Sequence, residues 1–89
     1  MEVQVHFFGN FRFLAKRTNQ TITLHKGATV RELLDFLTDQ YTKMANILSP
    51  DKIKRSHVLI IKGEKPVLDY KIKLTEGDKI YLFIMLAGG

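Results

Sequence analysis

The stretch TVRELLDFLTDQY, residues 29–41, decides the fold of this chain. Thr29 and Glu32 have the spacing of a capping box, in which the threonine hydroxyl and the glutamate carboxylate accept hydrogen bonds from amides at a helix start. Apolar side chains then recur every three or four residues, which is typical of one face of an amphipathic helix. We therefore expect a helix that begins after Thr29 and runs to about Met44. Its apolar stripe consists of Val30, Leu33, Leu34, Leu37 and Tyr41.

Strand patterns lie on both sides of this helix. Residues 2–7 alternate polar and apolar side chains, so Val3, Val5 and Phe7 are predicted to face inward. The further expected elements are a short helical turn within 11–17, a turn at 18–20, strands at 21–25, 57–61 and 79–84, and a short strand within 70–74.

The order of these elements predicts the fold class. One amphipathic helix with four or five strands is typical of an α+β fold, in which the helix packs across one face of a single mixed sheet. We expect residues 1–84 to form this domain and residues 85–89 to form a flexible C-terminal tail. The helix leucines should then meet the inward side chains of the first and last strands, which are Val3, Val5, Phe7, Ile80 and Leu82.

The composition limits the class of protein. A chain of 89 residues has room for one modest core, and no apolar run reaches the roughly 18 residues that span a bilayer. The chain has no cysteine, and this excludes disulfides, thiolate metal sites and a cysteine nucleophile. We expect a cytoplasmic protein that does not contact membranes. The net charge of +5 suits acidic partners, anionic ligands or nucleic acid, but the basic residues are spread along the chain, as on a solvated surface.

The sequence contains no pattern of a self-contained active site. No phosphate-binding glycine loop is present, and His6, His25 and His57 are dispersed, which favours solvent-facing strand histidines over a metal site. Ser56 and His57 are adjacent at a predicted strand start, where neighbouring side chains point to opposite faces, and this disfavours a nucleophile and base pair. We expect no bound cofactor and no metal.

The last four residues, Leu86-Ala87-Gly88-Gly89, are the remaining candidate for chemistry. Glycine has no Cβ, so Gly88 and Gly89 can pass through a narrow tunnel and adopt backbone angles closed to other residues. Four extended residues reach roughly 13 Å. A nucleotide-activating partner could therefore hold the Gly89 carboxylate against the α-phosphate of ATP. The acyl adenylate formed there could then be attacked by sulfide or an amine.

Several motifs together resemble a known family. They are VHFFG at 5–9 with FRFL at 11–14, the capped helix from Thr29, Leu68-Asp69 followed by LTEGDKI at 74–80, and the final AGG. The chain is similar in these motifs to the MoaD/ThiS family of ubiquitin-like sulfur carriers, and within it most similar to molybdopterin synthase small subunits. The resemblance covers essentially the whole chain, and its most specific parts are the L-x-x-G-D turn and the di-glycine end.

The resemblance implies a β-grasp fold and a role as a carrier subunit instead of an enzyme. It also implies that an E1-like adenylyltransferase of the MoeB type uses ATP to adenylate Gly89, after which sulfur replaces AMP to give a C-terminal thiocarboxylate. For molybdopterin synthase, it implies that Leu86, Ala87 and Gly88 insert into a large subunit of the MoaE type. There the sulfur would go to the pyranopterin precursor of the molybdenum cofactor.

Two alternatives stay open because small subunits of this type often carry proline where this chain has Ile84-Met85-Leu86. The first is a ubiquitin-like modifier that is joined to lysines through Gly89. The second is a sulfur carrier for another pathway, such as thiamine synthesis or tRNA thiolation. A nucleic-acid-binding module is disfavoured, because aromatic and basic residues do not interleave as such modules require and the terminus would be unexplained.

A docking surface is expected beside the root of the tail. If Val3, Val5 and Phe7 face the helix, Phe8 faces the other way, and on the last strand Tyr81, Phe83 and Met85 do the same. We call Phe8, Tyr81 and Phe83 the aromatic patch. A cluster of exposed aromatic rings indicates an interaction surface, and we expect it to bind both the activating enzyme and the acceptor subunit. The basic residues expected to steer acidic partners towards it are Arg12, Lys71, Lys73 and Lys79.

Overall fold

Five strands form one mixed sheet within residues 1–85, which are the residues that the computed structural model describes. Their order across the sheet is β2-β1-β5-β3-β4, with β1 parallel to β5 and the other neighbouring pairs antiparallel. The first and last strands of the sequence thus lie side by side at the centre. The strands are β1 Glu2–Phe7, β2 Asn19–Thr23, β3 Val58–Lys62, β4 Lys65–Pro66 and β5 Lys79–Ile84.

The main helix packs across one face of this sheet. The helices are α1 Asn10–Ala15, α2 Val30–Gln40 and α3 Ala45–Leu48, with a 3₁₀ turn at Thr42–Met44 between the last two. Leu33, Leu34 and Leu37 of α2 are fully buried. They belong to one hydrophobic cluster with the predicted inward residues of the two central strands, namely Val3, Val5, Phe7, Ile80 and Leu82. The predicted α+β arrangement is therefore confirmed.

The start of α2 follows the capping pattern in part. The Thr29 hydroxyl accepts a hydrogen bond from the backbone N–H of Glu32 at 3.2 Å, as an N-cap side chain does. The Glu32 carboxylate forms an ion pair with His25, which lies just after β2, and a hydrogen bond from the Thr29 backbone helps to lower the pKa of this carboxylate. This pair connects the second strand to the first turn of the main helix.

The motif LTEGDKI sets the position of β5 beside β1. Gly77 has φ +81°, a conformation that residues with a Cβ rarely adopt, and its N–H donates to the Glu2 carbonyl at 2.8 Å. The Asp78 carboxylate accepts from the backbone N–H of Thr75 at 2.8 Å, while the Asp78 carbonyl accepts from the Gln4 N–H at 2.8 Å. These bonds fix the register in which Tyr81 lies beside His6.

Several predicted bounds differ from the structure. The second strand is Asn19–Thr23 instead of 21–25, because Asn19 and Gln20 pair with His6 and Val5 of β1. The third strand is Val58–Lys62 instead of 57–61. Residues 70–74 form no strand in the described chain apart from an isolated bridge between Lys73 and Thr29, and the short strand is β4. The main helix ends at Gln40 and not near Met44.

Tyr41 explains this early end. Its backbone angles, φ −119° and ψ 88°, are not helical. Its ring packs edge-on against Phe7 with centroids 6.0 Å apart, and its hydroxyl donates to the Gln20 side chain. The tertiary contacts of Tyr41 therefore override the helical pattern at this residue.

Among the described residues, no helix is both long and apolar enough to cross a membrane.

Candidate functional site

The candidate site is the sheet face opposite α2, which we call the open face. Alternation along β1 and β5 buries Val5, Phe7, Ile80 and Leu82 on the helix side, so the intervening side chains point to the open face. Because β1 and β5 are parallel, their C-terminal ends lie at the same end of the sheet. Phe8 at the end of β1 therefore lies beside the last residues of β5, where its backbone N–H donates to the Leu82 carbonyl at 3.1 Å.

The structure brings the three residues of the aromatic patch together. Phe8 and Phe83 stack with ring centroids 4.4 Å apart and planes 7° from parallel. Phe8 and Tyr81 are tilted by 37° with centroids 6.3 Å apart. Phe8 is 39% exposed, while Tyr81 and Phe83 are partly buried. The patch is therefore a pre-ordered stack whose outer surface faces solvent, and ordered aromatic rings lose little conformational freedom on binding.

His6 extends this stack, which the sequence did not predict. The prediction placed His6 in solvent, but its ring stacks on Tyr81 with centroids 5.0 Å apart and an interplanar angle of 22°. Its Nε2 atom is buried without a hydrogen-bond partner among the described residues. The imidazole is therefore a packing element of the open face. Parallel pairing of His6 with Tyr81 causes this, and no local pattern could have shown that register.

Strand β3 supplies two more apolar side chains to the same face. Leu59 pairs with Phe83 and Ile61 pairs with Tyr81, and directly paired residues share a face of the sheet. Both are partly buried. The apolar run of β3 gave a signal for them, but the sequence alone could not assign its outward members to the aromatic patch. The apolar half of the open face thus comprises Phe8, Leu59, Ile61, Tyr81 and Phe83.

The other predicted site residues lie at the end of β5 or outside the described residues. Met85 follows β5 directly, is 58% exposed, and donates its backbone N–H to the His57 carbonyl at 2.8 Å. Leu86, Ala87, Gly88 and Gly89 lie outside the described residues. Their roles, and the division into a domain and a tail, therefore remain predictions.

The four basic residues expected to steer partners do not form one group. Lys79 lies on the open face, at the start of β5, opposite Gln4. Lys71 and Lys73 lie in the segment that hydrogen-bonds to the start of α2. Arg12 lies on α1, directly after the turn that follows Phe8. Arg12 and Lys79 are therefore the two of these residues that border the central strands of the site.

The two remaining histidines have different surroundings. The hydrogen bond to Glu32, and to a smaller extent the charge of that carboxylate, raise the pKa of His25, and the same hydrogen bond lowers the pKa of the Glu32 carboxyl. His57 has φ +54° and precedes β3 instead of lying within it. Ser56 donates its hydroxyl to the Lys52 carbonyl at 2.9 Å, so this hydroxyl is engaged with the backbone of its own turn. Within residues 1–85, no three His, Asp or Glu side chains gather as metal ligands would.

Comparison with protein families gives one match over nearly the whole chain. The model of the ThiS family matches residues 5–89, a range that includes the second half of β1, the LTEGDKI turn, β5 and the final two glycines. Small archaeal modifier protein 3 from Haloferax volcanii is 28% identical over 92 residues, and the match covers 100% of both chains.

Two solved structures share the fold. One, from Pyrococcus furiosus, is provisionally described as subunit 1 of a molybdopterin converting factor; it is 25% identical, with a TM-score of 0.79 over 97% of this chain and 99% of that one. The other is a complex of subunits 1 and 2 of the molybdopterin-converting factor from Helicobacter pylori. It is 24% identical, with a TM-score of 0.64 over 100% of both chains. The fold is the ubiquitin-like β-grasp that the resemblance implied.

Proposed function

Because the chain belongs to the ThiS family of ubiquitin-like sulfur carriers, we propose that it carries sulfur as a thiocarboxylate on Gly89. A partner enzyme transfers AMP from ATP to the Gly89 carboxylate, and pyrophosphate leaves. A sulfur nucleophile then attacks the acyl adenylate and displaces AMP. The observation that carries this proposal is the family match, which runs through Gly88 and Gly89 to the last residue.

The chain supplies a substrate and a docking body in this scheme, while the partner supplies the catalytic groups. ATP is bound by the activating enzyme, so the chain itself requires no cofactor or metal. Glycine at 88 and 89 suits a narrow catalytic tunnel, because a Cβ at either position would widen the segment. We place the reaction in the cytoplasm, where ATP and reduced sulfur donors are present together.

The docking surface in this proposal is the apolar half of the open face, with Met85 at its border. Three features support it. The Phe8–Phe83 stack is ordered before binding, Leu59 and Ile61 broaden the apolar area, and β5 leads directly from this face into residues 86–89. A partner that covers Phe83 would therefore have the tail next to its own surface. We propose that the activating enzyme and the sulfur acceptor use this face in turn.

For the acceptor, we propose the large subunit of a molybdopterin synthase, with Leu86, Ala87 and Gly88 inserted into it. The similarity to the Pyrococcus furiosus subunit 1 supports this choice. Conjugation to lysine side chains is the second candidate, because small archaeal modifier protein 3 is 28% identical over its full length. The two differ in the fate of the Gly89 carbonyl. In sulfur transfer the thiocarboxylate sulfur bonds to the precursor, and water then cleaves the C–S bond and restores the carboxylate. In conjugation a lysine amine attacks the activated carbonyl and displaces its leaving group.

A transfer assay separates these acceptors. Thiocarboxylated chain is incubated in one arm with a molybdopterin synthase large subunit and the pyranopterin precursor, and in another arm with cell extract, ATP and the activating enzyme. Conversion of the precursor to its dithiolene product supports the first candidate. Isopeptide-linked Gly89 on substrate lysines, with no conversion of the precursor, contradicts it and supports the modifier.

A further inference from the structure

A second surface, separate from the aromatic patch, surrounds the exposed ring of Phe13 on α1. Phe11 is fully buried and anchors α1 to the core, whereas Phe13 is 81% exposed. Leaving a phenylalanine in water forgoes most of the roughly 1.5–3 kcal/mol that its burial would contribute. The sequence analysis used this segment as a helical turn and as one of the family motifs, and it assigned no role to the outward ring.

Basic side chains surround this ring. Arg12 precedes it on α1, Lys16 and Arg17 follow it at the C-terminal end of this helix, and Lys43 approaches from the 3₁₀ turn. All four are exposed, and none forms an ion pair within residues 1–85. We call Phe13 and these four residues the α1 basic surface.

The charge around α1 is not balanced by nearby acidic residues in the sequence. Residues 3–31 contain five lysines and arginines but no aspartate or glutamate. No carboxylate lines either hollow beside Phe13. The prediction that basic residues are evenly distributed therefore misses this local excess, because it considered the chain as a whole.

Lys16 occupies a strained position on this surface. It ends α1 with φ +58° and ψ 33°, the left-handed conformation that glycine or asparagine usually adopts at a helix end. A lysine there costs roughly 1 kcal/mol relative to glycine. Strained residues in native proteins are concentrated at functional positions, and the side chain retained here contributes a cation beside Phe13.

The geometry of the hollows indicates the kind of ligand. Phe13 and Lys16 line two hollows. The first, of about 510 Å³, is also lined by Gly9, Arg17 and Thr18. The second, of about 280 Å³, is also lined by Tyr41 and Lys43. The exposed ring therefore borders two open spaces, and lysine or arginine side chains also line each of them. A flat aromatic base can stack on such a ring, while phosphates contact the surrounding lysines and arginines.

We propose that the α1 basic surface binds single-stranded nucleic acid, with Phe13 as the stacking ring and Arg12, Lys16, Arg17 and Lys43 as phosphate contacts. An acidic protein segment would use the same cations but would not need an exposed aromatic ring among them. The sequence prediction disfavoured nucleic acid because aromatic and basic residues did not interleave. Phe11-Arg12-Phe13 with Lys16-Arg17 is such an interleaved segment, and the structure places its outward members on one surface.

The test is fluorescence anisotropy of the full chain with a labelled oligouridine of about 12 nucleotides. We expect Phe13→Ala to weaken binding at least about fivefold, as for loss of one stacking contact. Leu68→Ala is the matched control, because Leu68 is 91% exposed and lies outside both hollows. Equal affinities of wild type, Phe13→Ala and Leu68→Ala, or no binding by wild type, would overturn the proposal.

The salt dependence tests the cations separately. From about 50 to about 200 mM salt, Lys16→Gln/Arg17→Gln should reduce the slope of log K against log salt by about 1.4, since each single-strand phosphate contact contributes about 0.7. The control is Lys54→Gln/Arg55→Gln, which removes the same charge from an exposed loop and should leave the slope unchanged. Equal slope changes in both double variants would contradict the proposal that the phosphates bind specifically at the α1 basic surface.

Competition with polyglutamate at equal charge concentration separates nucleic acid from an acidic protein partner. Retained oligouridine binding supports the proposal. Full displacement, together with unchanged binding by Phe13→Ala, contradicts it and assigns the surface to an acidic polypeptide. Thermal unfolding of each variant by circular dichroism confirms that the domain is folded.

Discussion

The rings of Phe8 and Phe83 stack face to face with centroids 4.4 Å apart, joining the end of β1 to the last strand before the tail. Parallel pairing of β1 with β5 produces this contact, and the bonded turn at Gly77 and Asp78 sets its register. The stack thus connects the fold directly to the surface on which a partner is proposed to dock.

We predict that Phe8→Ala weakens binding of the activating enzyme about tenfold, because an ordered aromatic anchor at the centre of an interface contributes roughly 1–2 kcal/mol. Phe36→Ala is a matched control: Phe36 is 38% exposed and Phe8 39%, but Phe36 lies on α2, across the sheet from the open face. Isothermal titration calorimetry measures both affinities. Equal affinities of the two variants would remove the aromatic patch from the account.

Phe83→Glu extends this prediction. A carboxylate in the stack would face the apolar surface of the partner without a counter-ion, so we expect a larger loss of affinity than for Phe83→Ala. The domain should stay folded, since Phe83 is only partly buried. Undiminished binding by Phe83→Glu in a folded protein contradicts the proposed docking face.

The His25–Glu32 pair predicts a pH dependence of stability. The contribution of His25, whose pKa is raised from 6.5, is present below this value and is lost as pH rises through the raised pKa. The pKa of Glu32 is lowered from 4.5. The contribution of Glu32 to stability is therefore present above pH 4.5 and is lost as pH falls through the lowered pKa. The free energy of unfolding of wild type relative to Glu32→Gln should therefore be highest between pH 4.5 and 6.5.

Urea unfolding at several pH values measures this difference. It should decrease in high salt, because both side chains are exposed and surface pairs are screened. Glu64→Gln is the control, since Glu64 forms no ion pair within the described part of the chain. A flat difference between pH 4.5 and 8 contradicts the role of the pair.

Two opposite substitutions test the backbone strain. Lys16→Gly should stabilise the domain by about 1 kcal/mol, because φ +58° suits glycine. Gly77→Ala should destabilise the domain by about the same amount, because Gly77 has φ +81°, which alanine rarely adopts. An added Cβ would meet no atom within 4 Å, so the backbone conformation alone opposes this substitution. Each kcal/mol corresponds to a shift of about 4–8 °C in Tm. Shifts of the same sign in both variants contradict this assignment.

The Thr29 cap gives a further stability prediction. Thr29→Ala should cost about 1 kcal/mol, because the Glu32 N–H at the start of α2 loses its side-chain acceptor. Thr29→Ser retains the hydroxyl and should keep most of the stability. Chemical denaturation compares the two, and equal losses would show that packing of the Thr29 methyl group is responsible.

The sequence patterns predicted the structural features that depend on residues close together in the chain. The bounds of β1 and β5 followed from period-two alternation, and the start of α2 followed from Thr29 and Glu32. The end of α2 did not, because Tyr41 leaves helical angles to contact Phe7 and Gln20. The start of β2 likewise depended on pairing with β1.

The candidate site shows the same division. Alternation placed Phe8, Tyr81 and Phe83 on one face, but only the strand register brings His6, Leu59 and Ile61 to them. No role was predicted for Phe13, since a helical pattern over six residues does not indicate what an outward ring contacts. Contacts between distant segments therefore carry the information that the sequence alone did not provide.

The most direct test of the central claim is the intact mass of the chain after incubation with ATP, an E1-like activating enzyme and a sulfur donor. We predict a mass increase equal to replacement of one oxygen by sulfur, and tandem fragmentation should locate it at Gly89. A chain lacking Gly89, or one extended beyond it by a tag, should fold and gain no sulfur. An unchanged mass of the wild-type chain, or sulfur on the tagged chain, would contradict the account.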